Sequence, residues 1–379
     1  MNGHVAPRLS FARLLAMSRK EVTQLRRDPR SLAMAFLMPA FLILLFGYVI
    51  SFDVRNIKLA VLDQDNSQES RGLVDAFTSS GYFRIVARPA RIAEGEDLLQ
   101  LGSVRAVLVI PPDFSKNLGA NRPAEVQALV DGGDANTAAI ALNYARAIVI
   151  EHSSRVTVQG RMLQMPIVPE SRIWYNEELK SSNMIVPGLI SVVMMVVAAM
   201  LTSLTLAKEW ERGTMEQLAA TPVHRLEVIL GKLLPYLVIG LIDVTAAVIM
   251  GLTVFAVPFR GNFLVLYGAA LLFLLGTLGL GIFISAAVKT QVLATQTAMI
   301  ATYLPSMLLS GLMFDIGSMP LPLRLISLIV PARYFIVVTR GVFLKGVGPE
   351  VLWHQGVAML VFAVIGLTLA ERAFKKEIG

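Results

Sequence analysis

The sequence predicts a polytopic α-helical membrane protein: six transmembrane helices with an α/β extracytoplasmic domain inserted between the first and the second. Three observations carry this. Apolar residues make up 55% of the 379-residue chain and charged residues 16%, against about 25% charged in a soluble domain. The apolar excess falls in runs of about 20 residues, the length of one helix across a bilayer. One long polar block, residues 53–182, interrupts those runs and alternates short β-branched stretches with helical ones. A soluble enzyme, a fibre and a disordered chain are excluded by the same apolar fraction. A membrane β-barrel is excluded because its strands would alternate over about 10 residues. The chain has no cysteine, hence no disulfide, Cys-liganded zinc or thiol nucleophile.

Residues 1–30 hold seven Lys or Arg. Within them Phe11, Leu14, Leu15, Val22 and Leu25 are spaced with basic residues between, which predicts an amphipathic helix lying on the inner leaflet. The basic region is too long, and the following apolar run too extended, for a cleaved signal peptide. The first span is 31–52. In the block 53–182, strands are expected at Lys58–Leu62, Phe83–Val86, Val104–Ile110 and Val126–Val130. Helices are expected after the Asp65-Asn66-Ser67 cap, over Ala93–Leu101, and from Asn136 to about Gln159. No glycine-rich phosphate loop follows any strand, so the block reads as a binding or docking module. The second span is 183–207, followed by a charged loop, 208–232. Spans three to five are 233–257, 263–288 and 291–314. A semi-polar, proline-rich stretch, 315–350, precedes the last span, 351–370, and a basic tail, 371–379. Trp174 and Tyr175 suit an interfacial belt before the second span.

Lys and Arg near span ends set orientation. Residues 1–30, 208–232, the turn at 289–290 and the tail together carry 15, against five in the connections 258–262 and 315–350. The first side is therefore expected to be cytoplasmic, with both termini inside. The polar block carries 14 basic and 16 acidic residues and is long enough to translocate regardless of charge. The cytoplasmic segments hold 15 basic and eight acidic residues, which accounts for the whole net charge of +7. That charge marks topology, with anionic lipid as a compatible contact, and a nucleic-acid partner is not expected.

The chemistry-bearing motifs are as informative by absence. The one Gly-Lys pair, Gly231-Lys232, is followed by Leu233 and lacks the glycine five residues earlier that a phosphate-cradling loop needs. The chain therefore hydrolyses no ATP itself. Gly276-x-x-Gly279-x-Gly281 lies inside a span and reads as close helix packing. The four histidines are scattered and form no metal site. Asp243 lies within the third span, where an acid should face the bundle or a cavity. A hydrogen bond to a neighbouring Ser or Thr is the expected arrangement, with a substrate role as the sharper alternative. Met194 and Met195 read as packing residues, or as an adaptable lining of a drug pathway.

In the loop 208–232, Gly213-Thr214 can break one helix and cap the next, with Gln217 in the capping-box position. Thr221-Pro222 is expected to start another short helix. Such a helix–break–helix suits either a lever for a cytoplasmic partner or a solvated connector. The run Lys208-Glu209-Trp210-Glu211-Arg212-Gly213-Thr214-Met215-Glu216-Gln217-Leu218, with Thr221-Pro222 and the Glu-x-Ile-Leu-Gly-Lys-Leu-Leu-Pro-Tyr stretch ending at Tyr236, resembles the signature loop of type-2 ABC exporter (ABC-2) permeases. Arg26, Arg27 and Asp28, before Pro29, resemble that family's elbow helix ending. Val186-Pro187-Gly188, Leu278-Gly279-Leu280-Gly281 with Ile284-Ser285, Leu309-Ser310-Gly311, Met319-Pro320 and Pro331-Ala332-Arg333-Tyr334 resemble its later spans and outer helices. The resemblance covers nearly the whole chain and is to bacterial multidrug-efflux permeases; Trp210 stands where a charged residue is frequent.

The resemblance implies two permeases, identical or paired with a sister chain, working with two ABC ATPase subunits that bind the ATP and Mg. Glu209, Glu211, Arg212, Gly213, Thr214, Glu216 and Pro222 would form the coupling helix seated on the ATPase. Pro320, Pro331, Arg333 and Tyr334 would belong to re-entrant outer helices gating the exit. Asp243, Met194 and Met195 would line the substrate pathway. A membrane-fusion adaptor protein would meet the extracytoplasmic domain, and the chain itself would bind no cofactor and no metal. The implied place is the bacterial inner membrane. A membrane sensor with an outer ligand-binding domain shares the layout but would need a cytoplasmic signalling domain, and the longest inside segment is the 30-residue N-terminus. A membrane-embedded transferase would need a polar catalytic cluster near the interface, which the sequence does not offer.

Overall fold

The computed structural model describes residues 10–50, 56–120, 122–132, 135–155, 157–158, 161–162, 180–221 and 223–374. The chain forms two compact units, Phe52–Ile173 and a second built from Met1–Ser51 with Trp174–Gly379.

In the helical unit, six helices among the described residues are long and apolar enough to cross a membrane, so this is a multi-pass membrane protein. They lie within α2 (Pro29–Val49), α7 (Ser181–Glu211), α9 (Arg225–Thr253), α10 (Phe263–Val288), α11 (Gln291–Leu309) and α14 (Pro349–Ala373). The central element is α7, buried along nearly its whole length against α2, α9, α10, α11 and a later helix, α13 (Pro331–Arg340). Its run of Val, Met, Ala and Leu is apolar on every face, as a helix surrounded by others must be. Prolines 39, 187, 235 and 305 lie inside these helices without ending them.

Glycine sets how closely α10 approaches its neighbours. A Cβ on Gly279 would lie 2.7 Å from the backbone of Gly366 in α14, and one on Gly281 would lie 2.0 Å from the Thr202 hydroxyl and 2.5 Å from the Ala199 carbonyl in α7. The glycine run of this span is thus a packing surface. Ser285, one turn further on, accepts hydrogen bonds from the backbone N–H groups of Leu206 and Ala207 at 3.0 and 2.9 Å.

The stretch after α11 is compact. It comprises a 3₁₀ turn (Ile316–Ser318), α12 (Leu321–Ile326), α13 and a π turn (Gly341–Lys345). The paired segments Leu321–Ile329 and Pro331–Lys345 meet at 83°. Pro320 and Pro331 sit at helix starts, where the missing N–H costs nothing. They open helices here and so separate the short helical segments of this stretch.

The other unit carries a four-stranded sheet in the order β2 (Phe83–Ala87), β1 (Ile57–Asp63), β3 (Ala106–Ile110), β4 (Gln127–Val130). The first two pairings are parallel and β3–β4 is antiparallel. Alternation along β1 sends Ile57, Leu59 and Val61 to one apolar cluster with α3 (Gln68–Ser79), α5 (Phe114–Gly119) and α6 (Ala135–Arg155). Ala60 and Leu62 go to a second cluster with α4 (Ile92–Gln100) on the opposite face. Ser67 caps α3 by accepting from the Ser70 N–H at 3.0 Å. The last helix ends at Arg155 rather than near Gln159, because Thr157–Val158 (β5) pairs antiparallel with Arg161–Met162 (β6). Trp174 and Tyr175 lie outside the described residues.

A buried ionic junction at the ends of the second and third spans

The loop expected at 208–232 is mostly helical. The last turn of α7 runs through Lys208 to Glu211, α8 spans Met215–Ala220, and α9 starts at Arg225. His224 caps α9, its Nδ1 accepting from the Leu226 N–H while Glu227 accepts from the His224 N–H. The helix start expected at Thr221-Pro222 is corrected accordingly: Thr221 is not helical, and Pro222 lies outside the described residues. The turn between α7 and α8 is made by Gly213 at φ +68°, a left-handed position where a side chain is strained. The Gly213 and Thr214 N–H groups close it by donating to the Trp210 and Glu209 carbonyls.

Beside this turn packs α1 (Phe11–Arg26). Its buried face is Met17, Ser18, Glu21 and Leu25, whereas Phe11, Leu15 and Val22, part of the expected membrane-facing stripe, are exposed. α1 crosses α9 at Gly231, where a Cβ would meet Met17 at 2.7 Å, and the Ser18 hydroxyl donates to the Gly231 carbonyl at 2.8 Å. One residue on, Lys232 is 1% exposed. Its ammonium reaches Glu21 at 2.9 Å and Glu209 at 3.3 Å. Glu21 also accepts from the Tyr236 hydroxyl at 3.0 Å. Glu209 also accepts from Lys20 at 3.0 Å and from the Thr214 hydroxyl. Each buried carboxylate is thus matched by a cation and a hydroxyl, the condition for keeping charge in a low-dielectric interior. Nearer the start of α1, Glu227 accepts from the Ser10 N–H and, in a two-pronged pair, from the Arg13 guanidinium at 3.0 Å on each oxygen.

A second junction ties α2 to α7. Lys208 donates to Asp28 and to Ser31, and Asp28 caps α2 by accepting from the Ser31 N–H. Burial pushes the Asp28 carboxyl up, but the hydrogen bonds from Lys208 and Ser31 outweigh it and hold the group well below the usual carboxylate range.

The residues expected to couple to a partner therefore divide. Glu211, Arg212, Gly213 and Glu216 are exposed. Glu209 is 3% exposed and faces inward, so a direct contact by its carboxylate is corrected to an internal bond. Thr214 is half-buried and turned back onto Glu209. Trp210 carries the Lys289 ammonium 4.6 Å above its ring, and Glu211 accepts from the Gln291 backbone and side chain. Both link the turn to the start of α11. Of the elbow residues, Arg26 and Arg27 are exposed and Asp28 is engaged as above.

Asp243 is 5% exposed and, with Met194, Leu274 and Leu278, lines a small interior void. Among the described residues it accepts no hydrogen bond; the neighbouring Thr245 hydroxyl pairs with Tyr267 instead. The expected bond to a Ser or Thr is therefore corrected. Met195 points elsewhere, its sulfur accepting from Ser306 at 2.9 Å. At the far end, Arg333 donates to Ser327 at 2.5 Å and the Tyr334 hydroxyl to the Leu328 carbonyl at 2.9 Å, both bracing the bend before Pro331.

The residues missed in the sequence are Glu21, Glu227, Lys232 and Tyr236. A signal was present: in Glu-x-Ile-Leu-Gly-Lys-Leu-Leu-Pro-Tyr the three polar residues and the glycine recur within three turns of an otherwise apolar helix start.

The sequence pattern of ABC-2 family transporter proteins matches residues 29–370. The chain belongs to this family. It is 37% identical over 366 residues to the "Probable multidrug ABC transporter permease YbhS" of Escherichia coli K12, covering 96% of this chain and 97% of the relative. It is 28% identical over 371 residues to YbhR of the same strain, named in the same words, covering 97% and 100%. To the "Inner membrane transport permease YhhJ" of that strain it is 25% identical over 328 residues, covering 85% and 86%. Family membership favours transport over the sensor reading.

Proposed function

We propose that the chain is the membrane-spanning permease subunit of an ATP-driven exporter. It moves a hydrophobic or amphipathic substrate, drug-like or lipid-like, out of the cytoplasm or inner membrane, and separate ATPase subunits bind and hydrolyse the ATP. The observation that carries this reading is the mounting of the turn 211–217. Glu211, Arg212, Gly213, Glu216 and Gln217 are presented outward, while Glu209, one turn back on the central helix, is bonded into α1 and α9. A push on such a turn is carried into three helices at once rather than absorbed by a slack loop.

In this reading the basic end is cytoplasmic, with both termini inside, and the 53–182 block is extracytoplasmic. A second permease copy or a homologous sister completes the pathway. The bent helices at Pro320 and Pro331 flank the exit, and Asp243 with Met194 lies on the route. The block's two-sided sheet supports a docking role toward a membrane-fusion adaptor; a chain lacking residues 53–182 should lose adaptor pull-down while still retaining the ATPase. The central test is Glu216→Ala, read by co-purification of the ATPase and by substrate-stimulated ATP hydrolysis. Both should fall, and unchanged binding together with unchanged stimulation would overturn the coupling role.

A further inference from the structure

The ends of α1, α2 and α7, with Tyr236 of α9 and Gln291 of α11, line a partly open cavity of about 790 Å³ whose wall combines charged and apolar groups. Three carboxylates border it, and each is already engaged. Glu21 holds Lys232, Glu209 holds Lys20 and Lys232, and Asp28 holds Lys208. Two guanidiniums border it as well, Arg27 from the end of α1 and Arg212 from the end of α7. Neither makes an ion pair or a hydrogen bond among the described residues, and both are exposed. The cavity therefore presents two free planar cations above a neutralised floor, with Leu25, Met34 and Leu204 as its apolar side. It lies where α2 begins and α7 ends, at the depth at which an apolar span gives way to headgroups.

Guanidinium suits a phosphate because its N–H groups meet two oxygens at once. A basic pocket between span ends is also where an anionic headgroup can be held with its acyl chains against apolar side chains. A soluble protein partner would need the cations but not the Leu25, Met34 and Leu204 wall. We infer that this cavity is a binding site for the phosphate headgroup of an anionic phospholipid, held by Arg27 and Arg212. The bound lipid would bridge the elbow segment to the turn after α7, joining by one ligand two elements that otherwise meet through Lys20, Lys232 and Lys208. The inference does not depend on the transport reading and fails or stands separately from it.

The test uses the purified full-length chain in neutral detergent, titrated with dioleoylphosphatidylglycerol, dioleoylphosphatidylcholine or inorganic phosphate and read by native mass spectrometry. The wild type should take up one phosphatidylglycerol at least about tenfold more tightly than phosphatidylcholine, since both carry the phosphodiester but only choline adds a cation that the two guanidiniums repel. Arg27→Gln with Arg212→Gln should abolish the preference, whereas Arg26→Gln, on the neighbouring exposed position, should keep it. An unchanged elution profile on size exclusion shows that the double variant is folded; if it is not, the single variants Arg27→Gln and Arg212→Gln should each lower the preference part-way. Equal uptake of the two lipids by the wild type would overturn the assignment, as would a preference that survives the double substitution. Displacement by inorganic phosphate at equal concentration would replace the lipid by a soluble phosphate and overturn it too. Loss of ATPase co-purification with lipid uptake unchanged would assign the two arginines to the partner subunit instead.

Discussion

Replacing Lys232 by methionine keeps the length and apolar stem of the side chain and removes one charge from the most buried ionic cluster in the helical unit. The consequence is unequal for its two partners. Glu209 retains Lys20 and the Thr214 hydroxyl. Glu21 retains only the Tyr236 hydroxyl at 3.0 Å, so a carboxylate that is 3% exposed loses its cation. Removing one member of a buried pair costs about 3–5 kcal/mol, chiefly for the charge left behind, and here most of it falls on Glu21. Because Glu21 lies on α1, the chain can relieve part of this by releasing that helix. The expected signature is therefore destabilisation together with faster hydrogen exchange over residues 11–26. Lys232→Met combined with Glu21→Gln removes both charges and should recover to within about 1 kcal/mol of wild type, because an apolar replacement of a whole buried pair is close to neutral. The assay is unfolding in mixed micelles by increasing sodium dodecyl sulfate for the two single variants and the double, with hydrogen exchange followed by mass spectrometry. A single Lys232→Met within about 1 kcal/mol of wild type, or strict additivity of the two substitutions, would refute the reasoning, since contacting charges must couple.

Two further outcomes follow from the same geometry. Gly281→Val should leave little folded, monodisperse protein, because even the first added carbon would lie 2.0 Å from Thr202 and 2.5 Å from the Ala199 carbonyl; overpacking of this kind costs about 1–3 kcal/mol or more, and normal yield and thermal stability on size exclusion would contradict it. Asp28→Asn should lower stability by the same amount at every pH from 5 to 8, with the difference shrinking as pH falls below about 4. The sign follows from the depressed carboxyl: its contribution is complete above the unfolded pKa and is lost as pH falls through the lower folded one. A difference that grew on acidification would show that Lys208 does not stabilise the charged form.

How much could be read before folding depended on whether the cause was local. Apolar runs report burial in lipid or in the bundle directly, so all six spans were legible. Helix limits were less so: α7 runs about one turn and α9 about two turns into the charged stretch, because Lys208, Glu209 and Lys232 find partners on other helices and need not be in solvent. Gly213 was legible as a break because a left-handed turn favours glycine whatever surrounds it. The direction in which Glu209 points was not, since neighbouring Glu211 has the same chemistry and faces outward. Gly231-Lys232 was legible as a failed phosphate loop and as part of the stretch that resembles the family's signature, not as a packing and charge site. Its role emerges from α1, where the glycine admits Met17 and the lysine meets Glu21.

By itself the sequence determined that this is a helical membrane protein with about six apolar spans, where the net charge of +7 sits along the chain, that no ATP-binding loop is present, and which segment resembles the family's signature loop. Those properties follow from composition and short-range pattern. Tertiary structure alone decided which charges are internal. Lys232 and Glu21 stand 211 positions apart, and Arg13 and Glu227 stand 214 apart. Whether a charged side chain is a surface contact or a buried strut depends on the element packed against it, and no local pattern contains that element.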